Sequence, residues 1–563
     1  MDIVNPAIVT YSPFRRIFAI LKADRSEITS VYFYAILNGL IQLSLPLGIQ
    51  AIIGFVLGGV ISTSLVILIA LVVVGVFLNG LLQVNQMKLI EKIQQKLFAR
   101  YSFEFANRLP KIDLQKTDDV YLPELTNRFF DVISLQKGVA KVLIDIPTAS
   151  IQILFGLILL CFYHPIFIAF GLILIFILFL LLRFTGPKGL ETSYQESYYK
   201  YRVAGWLEEI ARIVKSLRFS KGSLIHLRKN DELTSQYIQN RTSHFKILLF
   251  QYWSLVGFKV IITAAMLIVG TILLVDQQIN IGQFIAAEIV IITILNSIEK
   301  FTLNLDKVYD ILTSVGKLSK VIDKPLETSG ALDLAEVSGG LSVEIRDLEF
   351  SYDQERNVLK DITINIPAGH KAVLMGTDGS GKSTLLKLLT GAYQPNKGNI
   401  LINGIPLNNY NLTNLRSHMG IYFTQQDIFQ GSLLENITMG NTNIHYQEIM
   451  DVANKLGLTD FLIQLPGGLQ HQIDPVGKKL SRNSIQKILI LRMLMLRPKL
   501  ILMEEPWAGI EESFKSRMEN YLLNELKQTT MVMITNDQSF ADQCDQVIQL
   551  RDGSISQITY PKS

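Results

Sequence analysis

Residues 371–389 read KAVLMGTDGSGKSTLLKLL and contain the pattern G-x-x-x-x-G-K-[ST] between Gly376 and Ser383. A short apolar run typical of a buried strand precedes the pattern, and a segment typical of a helix follows it. In this context the sequence forms a phosphate-binding loop, because its glycines let backbone N–H groups close around phosphates. The N-terminus of the helix adds positive potential. The stretch therefore predicts an α/β domain that binds a nucleotide.

Side chains of this loop have separate predicted roles. We expect Lys382 to neutralise the β- and γ-phosphates and Ser383 to ligate Mg²⁺. The whole segment is predicted to contact the nucleotide, namely Gly376, Thr377, Asp378, Gly379, Ser380, Gly381, Lys382, Ser383 and Thr384. Further along, the apolar run of residues 500–503 ends in Glu504 and Glu505. A carboxylate at such a strand end holds Mg²⁺ through water, and a neighbouring one can polarise the attacking water.

The distribution of charge defines the first half of the chain. Charged residues make up 18% of the sequence, below the roughly 25% of soluble proteins. No Asp, Glu, Lys or Arg occurs from Ile28 to Met87 or from Ile146 to Leu182, and apolar segments follow at 247–275 and 281–298. Since a spanning helix needs about 20 apolar residues, each long run holds two spans. The sequence predicts six spans, with turns at 57–63, 163–165 and 276–280.

Basic residues set the predicted orientation. The three turns contain no Lys or Arg, whereas the other connections contain many. Both termini are therefore expected in the cytoplasm. The long connections at 88–140 and 183–246 read as helices that extend the spans into water. Residues 13–22 are predicted to form an amphipathic helix on the inner membrane face, and no cleaved signal peptide is expected.

Other features limit the possible functions. The two cysteines lie apart, which argues against a metal or redox site. A net charge of +4 is too small to indicate a nucleic-acid partner. The excess of basic residues lies in the membrane half, where anionic membrane lipid is their expected partner. Lys259 and Glu288 interrupt apolar spans, and charges at such positions are candidates for a substrate or coupling role. We predict a fold of an α-helical six-span transmembrane domain followed by an α/β P-loop NTPase domain, with bounds of 1–27 (interfacial helix), 28–323 (membrane domain), 324–340 (linker) and 341–563 (nucleotide-binding domain).

With these motifs, nearly the whole chain resembles ATP-binding cassette (ABC) exporter subunits whose membrane domain is fused to the cassette. The resemblance implies that Tyr352 stacks on the adenine of ATP and that Gln426 links Mg²⁺ to the membrane domain. Residues 474–479 are similar to the exporter segment before the cassette signature, and residues 122–128 and 207–211 to coupling helices. Residues 46–53 and 281–286 look most like type I secretion and bacteriocin exporters, which implies a periplasmic adaptor and an outer-membrane channel.

Several cassette elements depart from the family pattern. The signature Leu-Ser-Gly-Gly-Gln is replaced by Leu480-Ser481-Arg482-Asn483-Ser484. Its glycines normally allow close approach to the γ-phosphate, so the side chains at 482 and 483 either block that approach or offer a charged contact. The loop Ser-Ala-Leu-Asp after the glutamates is here residues 508–511, Ala-Gly-Ile-Glu. Glu504 stands in place of the Mg²⁺-associated aspartate, and Asn536 in place of the switch histidine.

These departures support ATP binding better than fast hydrolysis. The resemblance implies a dimer in which each site uses the phosphate loop of one cassette and the signature, including Ser481, of the other. A homodimer and a heterodimer with an intact partner are both compatible with the sequence. The expected catalytic residues are Glu505, Gln426 and Asn536, and the expected function is that of an inner-membrane exporter. A peptide or protein substrate is favoured, lipid or drug export stays open, and the alternative is a regulatory ATP-binding subunit with little turnover.

Overall fold

The computed structural model describes residues 13–58, 63–117, 121–220, 222–352, 357–424 and 426–561. The chain divides into two compact units, which we describe separately. The first unit comprises Met1–Pro110 and Tyr121–Lys324, and the second comprises Lys111–Val120 and Pro325–Ser563.

The first unit is helical. Its helices are α1 Pro13–Ala23, α2 Arg25–Gln42, α3 Ser44–Leu57, α4 Thr63–Arg108, α5 Leu122–Thr126, α6 Asp131–Tyr163, α7 Ile166–Arg212, α8 Val214–Phe219, α9 Ile225–Val275, α10 Ile281–Leu303 and α11 Leu305–Ile322. Within the described residues, six helical segments are long and apolar enough to cross a membrane. The predicted number of spans is therefore confirmed. The first of them consists of α2 and α3, with a break at Leu43 that the sequence analysis did not predict.

The turns between spans lie where the sequence placed them. Helix α6 ends at Tyr163 and α7 begins at Ile166, while α9 ends at Val275 and α10 begins at Ile281. Asn280 caps α10, because its side chain accepts a hydrogen bond from the Gln283 N–H at 2.8 Å. Of the first predicted turn, residues 59–62 lie outside the described residues. Much of the two long connections is helical, as predicted, since α4, α7 and α9 continue well beyond their apolar windows, whereas residues 112–114 and 222–224 are not helical.

The two charges inside the spans differ in their surroundings. Lys259 of α9 forms an ion pair with Glu299 of α10, a partner that the sequence analysis did not identify. Glu288 of α10 is half-buried, and within the described chain it has no ion pair. An ion pair at a helix contact is a structural explanation for Lys259, whereas the suggested role of Glu288 stays a prediction.

The second unit is an α/β domain with two main sheets. Its strands are β1 Val343–Phe350, β2 Leu359–Ile366, β3 Lys371–Met375, β4 Lys397–Ile402, β5 Ile405–Pro406, β6 Met419–Tyr422, β7 Gly431–Ser432, β8 Gln472–Ile473, β9 Leu500–Glu504, β10 Thr530–Ile534, β11 Gln546–Arg551 and β12 Ser554–Thr559. Its helices are α12 Lys382–Leu389, α13 Leu412–Ser417, α14 Leu433–Thr438, α15 Tyr446–Leu456, α16 Thr459–Gln464, α17 Arg482–Met495, α18 Glu512–Asn520 and α19 Gln538–Ala541.

The larger sheet positions the candidate site. Its strand order is β12-β11-β3-β10-β9-β6; β11, β3, β10, β9 and β6 run parallel to one another, whereas β12 pairs antiparallel with β11. The central strands β3, β9 and β10 are apolar and almost fully buried, as expected for a parallel sheet covered on both faces. The smaller sheet, of order β2-β1-β4-β5, is antiparallel. In such folds ligands bind beyond the carboxyl ends of the parallel strands.

A short segment from the first cytoplasmic connection also belongs to the second unit. Ile112 pairs with Leu326 in an isolated antiparallel bridge, and the Asp113 N–H donates to the Pro325 carbonyl at 2.9 Å. The Gln394 N–H donates to Gln115 Oε1 at 3.0 Å. From its place in the sequence, this segment was predicted to belong to the membrane domain. The contacts that join it to the second unit involve residues far apart in the chain, so nothing in the sequence indicated them.

Candidate functional site at the strand ends

Four neighbouring strands end at one edge of the larger sheet. The phosphate loop follows β3, Asn536 follows β10, Glu504 ends β9, and Gln426 lies four residues after β6. Because β3, β10, β9 and β6 are adjacent and parallel, the sheet brings these sequence-distant positions to the same edge. The structure therefore collects the residues predicted to contact phosphate, Mg²⁺ and water.

The phosphate loop is shaped by its own backbone. Gly376 and Gly381 have φ angles of 145° and 99°, which side-chain-bearing residues rarely adopt. A Cβ at Gly381 would lie 2.6 Å from Leu359 Cδ2 and 3.2 Å from the Val358 carbonyl oxygen, so a side chain there would also force a neighbour to move. Lys382 Nζ donates to the carbonyls of Gly376 and Thr377 at 2.7 and 2.9 Å. The lysine thus lies across the loop, at the N-terminus of α12, where it can neutralise phosphate.

An aromatic cluster lies beside the phosphate loop. Tyr352 is partly exposed, and its hydroxyl is 3.1 Å from Thr384 Oγ1 of α12. Its ring meets the rings of Phe350 and Tyr393 edge-on, at centroid distances of 5.0 and 5.6 Å. Residues 353–356, which follow Tyr352, lie outside the described residues. The ring is held next to the loop, and its stacking on adenine stays a prediction.

Oxygen ligands for Mg²⁺ come from three elements. Ser383 is exposed in the first turn of α12. Glu504 Oε2 accepts hydrogen bonds from the Thr424 hydroxyl and N–H at 3.2 and 3.4 Å. Gln426 Oε1 accepts from the Phe423 N–H at 3.3 Å. Within the described chain no group of three or more His, Cys, Asp or Glu residues could hold a metal. The oxygens of Ser383, Glu504 and Gln426 fit Mg²⁺, which binds a few protein oxygens together with waters and substrate phosphates.

Glu505 has an unusual backbone and an unusual environment. Its φ angle is 44°, and its N–H donates to the Ile534 carbonyl at 2.8 Å, which fixes it against the end of β10. Burial raises the pKa of its carboxyl group above the ordinary value, and the positive charge of Lys382 partly offsets this effect. A carboxyl group with a raised pKa is a better general base at neutral pH than an ordinary glutamate. The geometry is compatible with the predicted role.

Asn536 is exposed at the start of the loop after β10. The next residue, Asp537, caps α19 and forms an ion pair with Lys515 of α18. Sequence reasoning missed Lys515 and Asp537, because no motif marks them and their contact joins separate segments. The only signal was the position of Asp537 beside the predicted switch residue.

The signature segment forms the start of helix α17. Ser481 caps α17 by accepting a hydrogen bond from the Ser484 N–H at 3.1 Å, and Arg482 is exposed as the first residue of that helix. Gln486 of α17 donates to the Pro506 carbonyl at 2.8 Å, next to Glu505. In the described part of the chain no hydrogen bond joins Ser481 or Arg482 to the phosphate loop of the same chain.

Both halves of the chain match models of ABC transporter domains. Residues 29–298 match the model for the ABC transporter transmembrane region, and residues 359–508 match the ABC transporter model.

Individual relatives agree with this assignment. A probable ABC transporter ATP-binding/permease protein from Haemophilus influenzae is 34% identical over 242 residues, covering 42% of this chain and 43% of that protein. An ATP-dependent lipid A-core flippase from Saccharophagus degradans is 29% identical over 245 residues, covering 43% of this chain and 42% of that protein. In both, the matched segment spans less than half the length of the relative.

A solved structure has the same fold along almost the whole chain. It is a bacterial Atm1-family ABC exporter with ATP bound, with a TM-score of 0.86, 17% identity and coverage of 95% of each chain. At this identity the likeness concerns the fold.

Proposed function

The chain is an ABC exporter half-transporter, with its membrane domain fused to its nucleotide-binding domain, and we propose that it works as a dimer that exports a substrate across the inner membrane at the expense of ATP. The observation that carries the proposal is the convergence of four strand ends, which places Lys382, Glu505 and Asn536 at one edge of the sheet. Closure of two cassettes around ATP would reorient the spans, and hydrolysis would reset them.

Each residue at the strand ends has a role in this proposal. Lys382 and the loop N–H groups hold the phosphates, and Glu505 orients and deprotonates the attacking water. Ser383, Gln426 and Glu504 would hold Mg²⁺, which neutralises charge on the phosphates when it is bound. Asn536 can donate a hydrogen bond to a phosphate oxygen, but it cannot accept a proton at neutral pH.

The partner completes the site. By resemblance to the family, Ser481 of one chain would contact the nucleotide held by the phosphate loop of the partner subunit. In a homodimer both sites contain Arg482 and Asn483, whereas in a heterodimer one site would pair this phosphate loop with the partner's signature. We propose a dimer and leave both forms open.

The second candidate function is a regulatory subunit that binds ATP and gates or scaffolds with little turnover of its own. The altered signature and Asn536 favour this candidate over an ordinary pump. Turnover of the chain alone and with candidate partners would distinguish the two functions.

The transported substrate is proposed from likeness. The membrane segments at 46–53 and 281–286 favour a peptide or protein, in which case a periplasmic adaptor and an outer-membrane channel would complete the route. The lipid A-core flippase among the relatives supports lipid as the alternative. The distribution of Lys and Arg supports an inner-membrane location with the nucleotide-binding domain in the cytoplasm.

The proposal is tested by reconstituting the purified protein in lipid vesicles and measuring ATP hydrolysis and nucleotide binding. We expect vanadate-sensitive hydrolysis, and we expect Lys382→Ala to lower nucleotide affinity by roughly 100-fold, since a charge-assisted contact to phosphate is lost. Tight ATP binding with no turnover in any assembly would favour the regulatory function. Normal binding by Lys382→Ala would contradict the role of the phosphate loop.

A further inference from the structure

Lys515 connects two segments that flank the candidate site. It lies in α18, shortly after the strand-end glutamates, and its ammonium forms an ion pair with Asp537. The two side chains are only 18% and 17% exposed. Because Asp537 directly follows Asn536, the pair ties α18 to the loop that carries Asn536.

Asp537 organises the backbone on both sides of Asn536. Its Oδ1 accepts hydrogen bonds from the Ser539 hydroxyl at 2.6 Å and the Phe540 N–H at 3.2 Å. Its own N–H donates to Thr535 Oγ1 at 3.2 Å. Asn536 therefore lies between Thr535 and Asp537, which are joined by this hydrogen bond. Its position consequently depends on that of Asp537.

The charges around Lys515 are unbalanced. Lys515 Nζ is 3.8 Å from Oε1 of both Glu512 and Glu519, in addition to its pair with Asp537. Burial raises the pKa of Asp537, but the ion pair with Lys515 and the hydrogen bonds outweigh it and hold that pKa at about 2. One ammonium thus faces three carboxylates, and its removal would leave like charges beside Asn536.

A ring contact links the same loop to Glu505. The rings of Trp507 and Phe540 meet edge-on with centroids 5.4 Å apart. Trp507 lies two residues after Glu505, and Phe540 lies in α19, the helix capped by Asp537. The ion pair and the ring contact together fix the Asn536 loop relative to the loop that carries Glu505.

We propose that Lys515 and Asp537 are positioning residues that hold Asn536 in the orientation needed for ATP hydrolysis. The inference rests on the proposed function. Asn536 cannot exchange a proton, so it can assist hydrolysis only by donating a hydrogen bond from its side-chain amide. Because such a bond depends on direction, a small displacement of the side chain removes it. Binding of ATP depends on the phosphate loop and is expected to be unaffected.

The test is a double-mutant cycle in the full-length dimer in lipid vesicles, with Lys515→Met, Asp537→Asn and both together. Asparagine keeps the helix cap and removes only the charge. We expect Lys515→Met to lower kcat roughly 10-fold, Asp537→Asn to lower it less, and the double variant to be no worse than Lys515→Met, because the two residues act as a unit. KM for ATP and nucleotide affinity should stay within about twofold of the wild type, and Lys515→Arg should retain activity.

The exposed ion pair between Lys455 and Glu525, at 2.7 Å, supplies the matched control. Lys455→Met and Glu525→Gln should leave kcat unchanged. Multiplicative effects of the two site substitutions, an unchanged kcat, or equal changes in KM and kcat would overturn the inference. If Lys515→Met does not fold, the inference is tested by the other two variants. It then requires a lower kcat in Asp537→Asn and retained activity in Lys515→Arg. A wild type without turnover would refute the proposed function and this inference with it, whereas normal turnover in all variants would refute only the inference.

Discussion

The phosphate loop and the Asn536 loop lie on neighbouring strands, yet their shapes have different origins. The phosphate loop is defined locally, by glycines with positive φ and by a lysine that bonds to carbonyls of the same loop. The Asn536 loop is held by Lys515, which lies on a separate helix. A locally determined site can be recognised from its motif, whereas one determined by distant charges has to be seen in the fold. We expect the first loop to govern binding and the second to govern turnover.

Substitution of Glu505 should change the rate of ATP hydrolysis more than any other substitution, without changing nucleotide binding. Glu505→Gln removes the proposed base while keeping the size of the side chain. It should lower kcat for ATP hydrolysis on the order of 1000-fold, within the range for loss of general-base catalysis. Nucleotide affinity should change little. Unchanged vanadate-sensitive hydrolysis in vesicles would rule out Glu505 as the base.

The next effect breaks the locally determined loop. Gly381→Ala introduces a Cβ 2.6 Å from Leu359 Cδ2 and 3.2 Å from the Val358 carbonyl oxygen, at a φ of 99° that strains any residue other than glycine. We expect nucleotide affinity to fall roughly 10- to 100-fold in a fluorescent-nucleotide assay. Gly404→Ala is the matched control, since its φ is 76° but a Cβ would meet nothing within 4 Å. Equal affinity losses in both variants would show that the loop geometry is not the cause.

A smaller effect is expected at the signature. If Arg482 and Asn483 obstruct the partner's γ-phosphate, replacing both with glycine should raise kcat severalfold in a homodimer. Reduced activity would instead indicate that Arg482 contacts phosphate, as the other interpretation of the sequence proposes. An unchanged kcat would count against both interpretations. ATP turnover at saturating nucleotide measures the effect.

The smallest effect concerns pH. Folding raises the pKa of Glu505, so the stability from its protonated form is full below the unfolded-state pKa and is lost as pH rises through the folded-state pKa. Glu505→Gln should therefore raise the Tm at pH 7, on the order of 1 °C, with a smaller difference near pH 4. Thermal unfolding in detergent checks this. A lower Tm at pH 7 would contradict the raised pKa.

Features determined locally could be predicted from the sequence, and those determined by distant contacts could not. The six spans and the turns at 163–165 and 276–280 were predictable, because lipid excludes charge and the charge-free runs are long. The strand-loop-helix around Gly376 was predictable, because its glycines and lysine are adjacent in sequence. Such features depend on local physical chemistry alone.

Features that depend on distant contacts were not predictable. The partner of Lys259 is Glu299, on another helix, and nothing in the order of the residues links them. The segment around Ile112 pairs with Leu326 across most of the membrane domain sequence. The same applies to Lys515 and Asp537. In each case burial and charge select a partner that only the folded chain brings close.

In the proposed mechanism, ATP held at the strand ends rearranges the membrane spans. Cys161 is exposed near the end of α6, and Cys544 is fully buried, so a spin label can be attached to the native Cys161. In a dimer in lipid, pulsed electron resonance measures the distance between the two labels. We expect ATP with vanadate to shift this distance distribution and Lys382→Ala to abolish the shift. An unchanged distribution in wild-type protein with nucleotide demonstrably bound would show that ATP does not rearrange the spans.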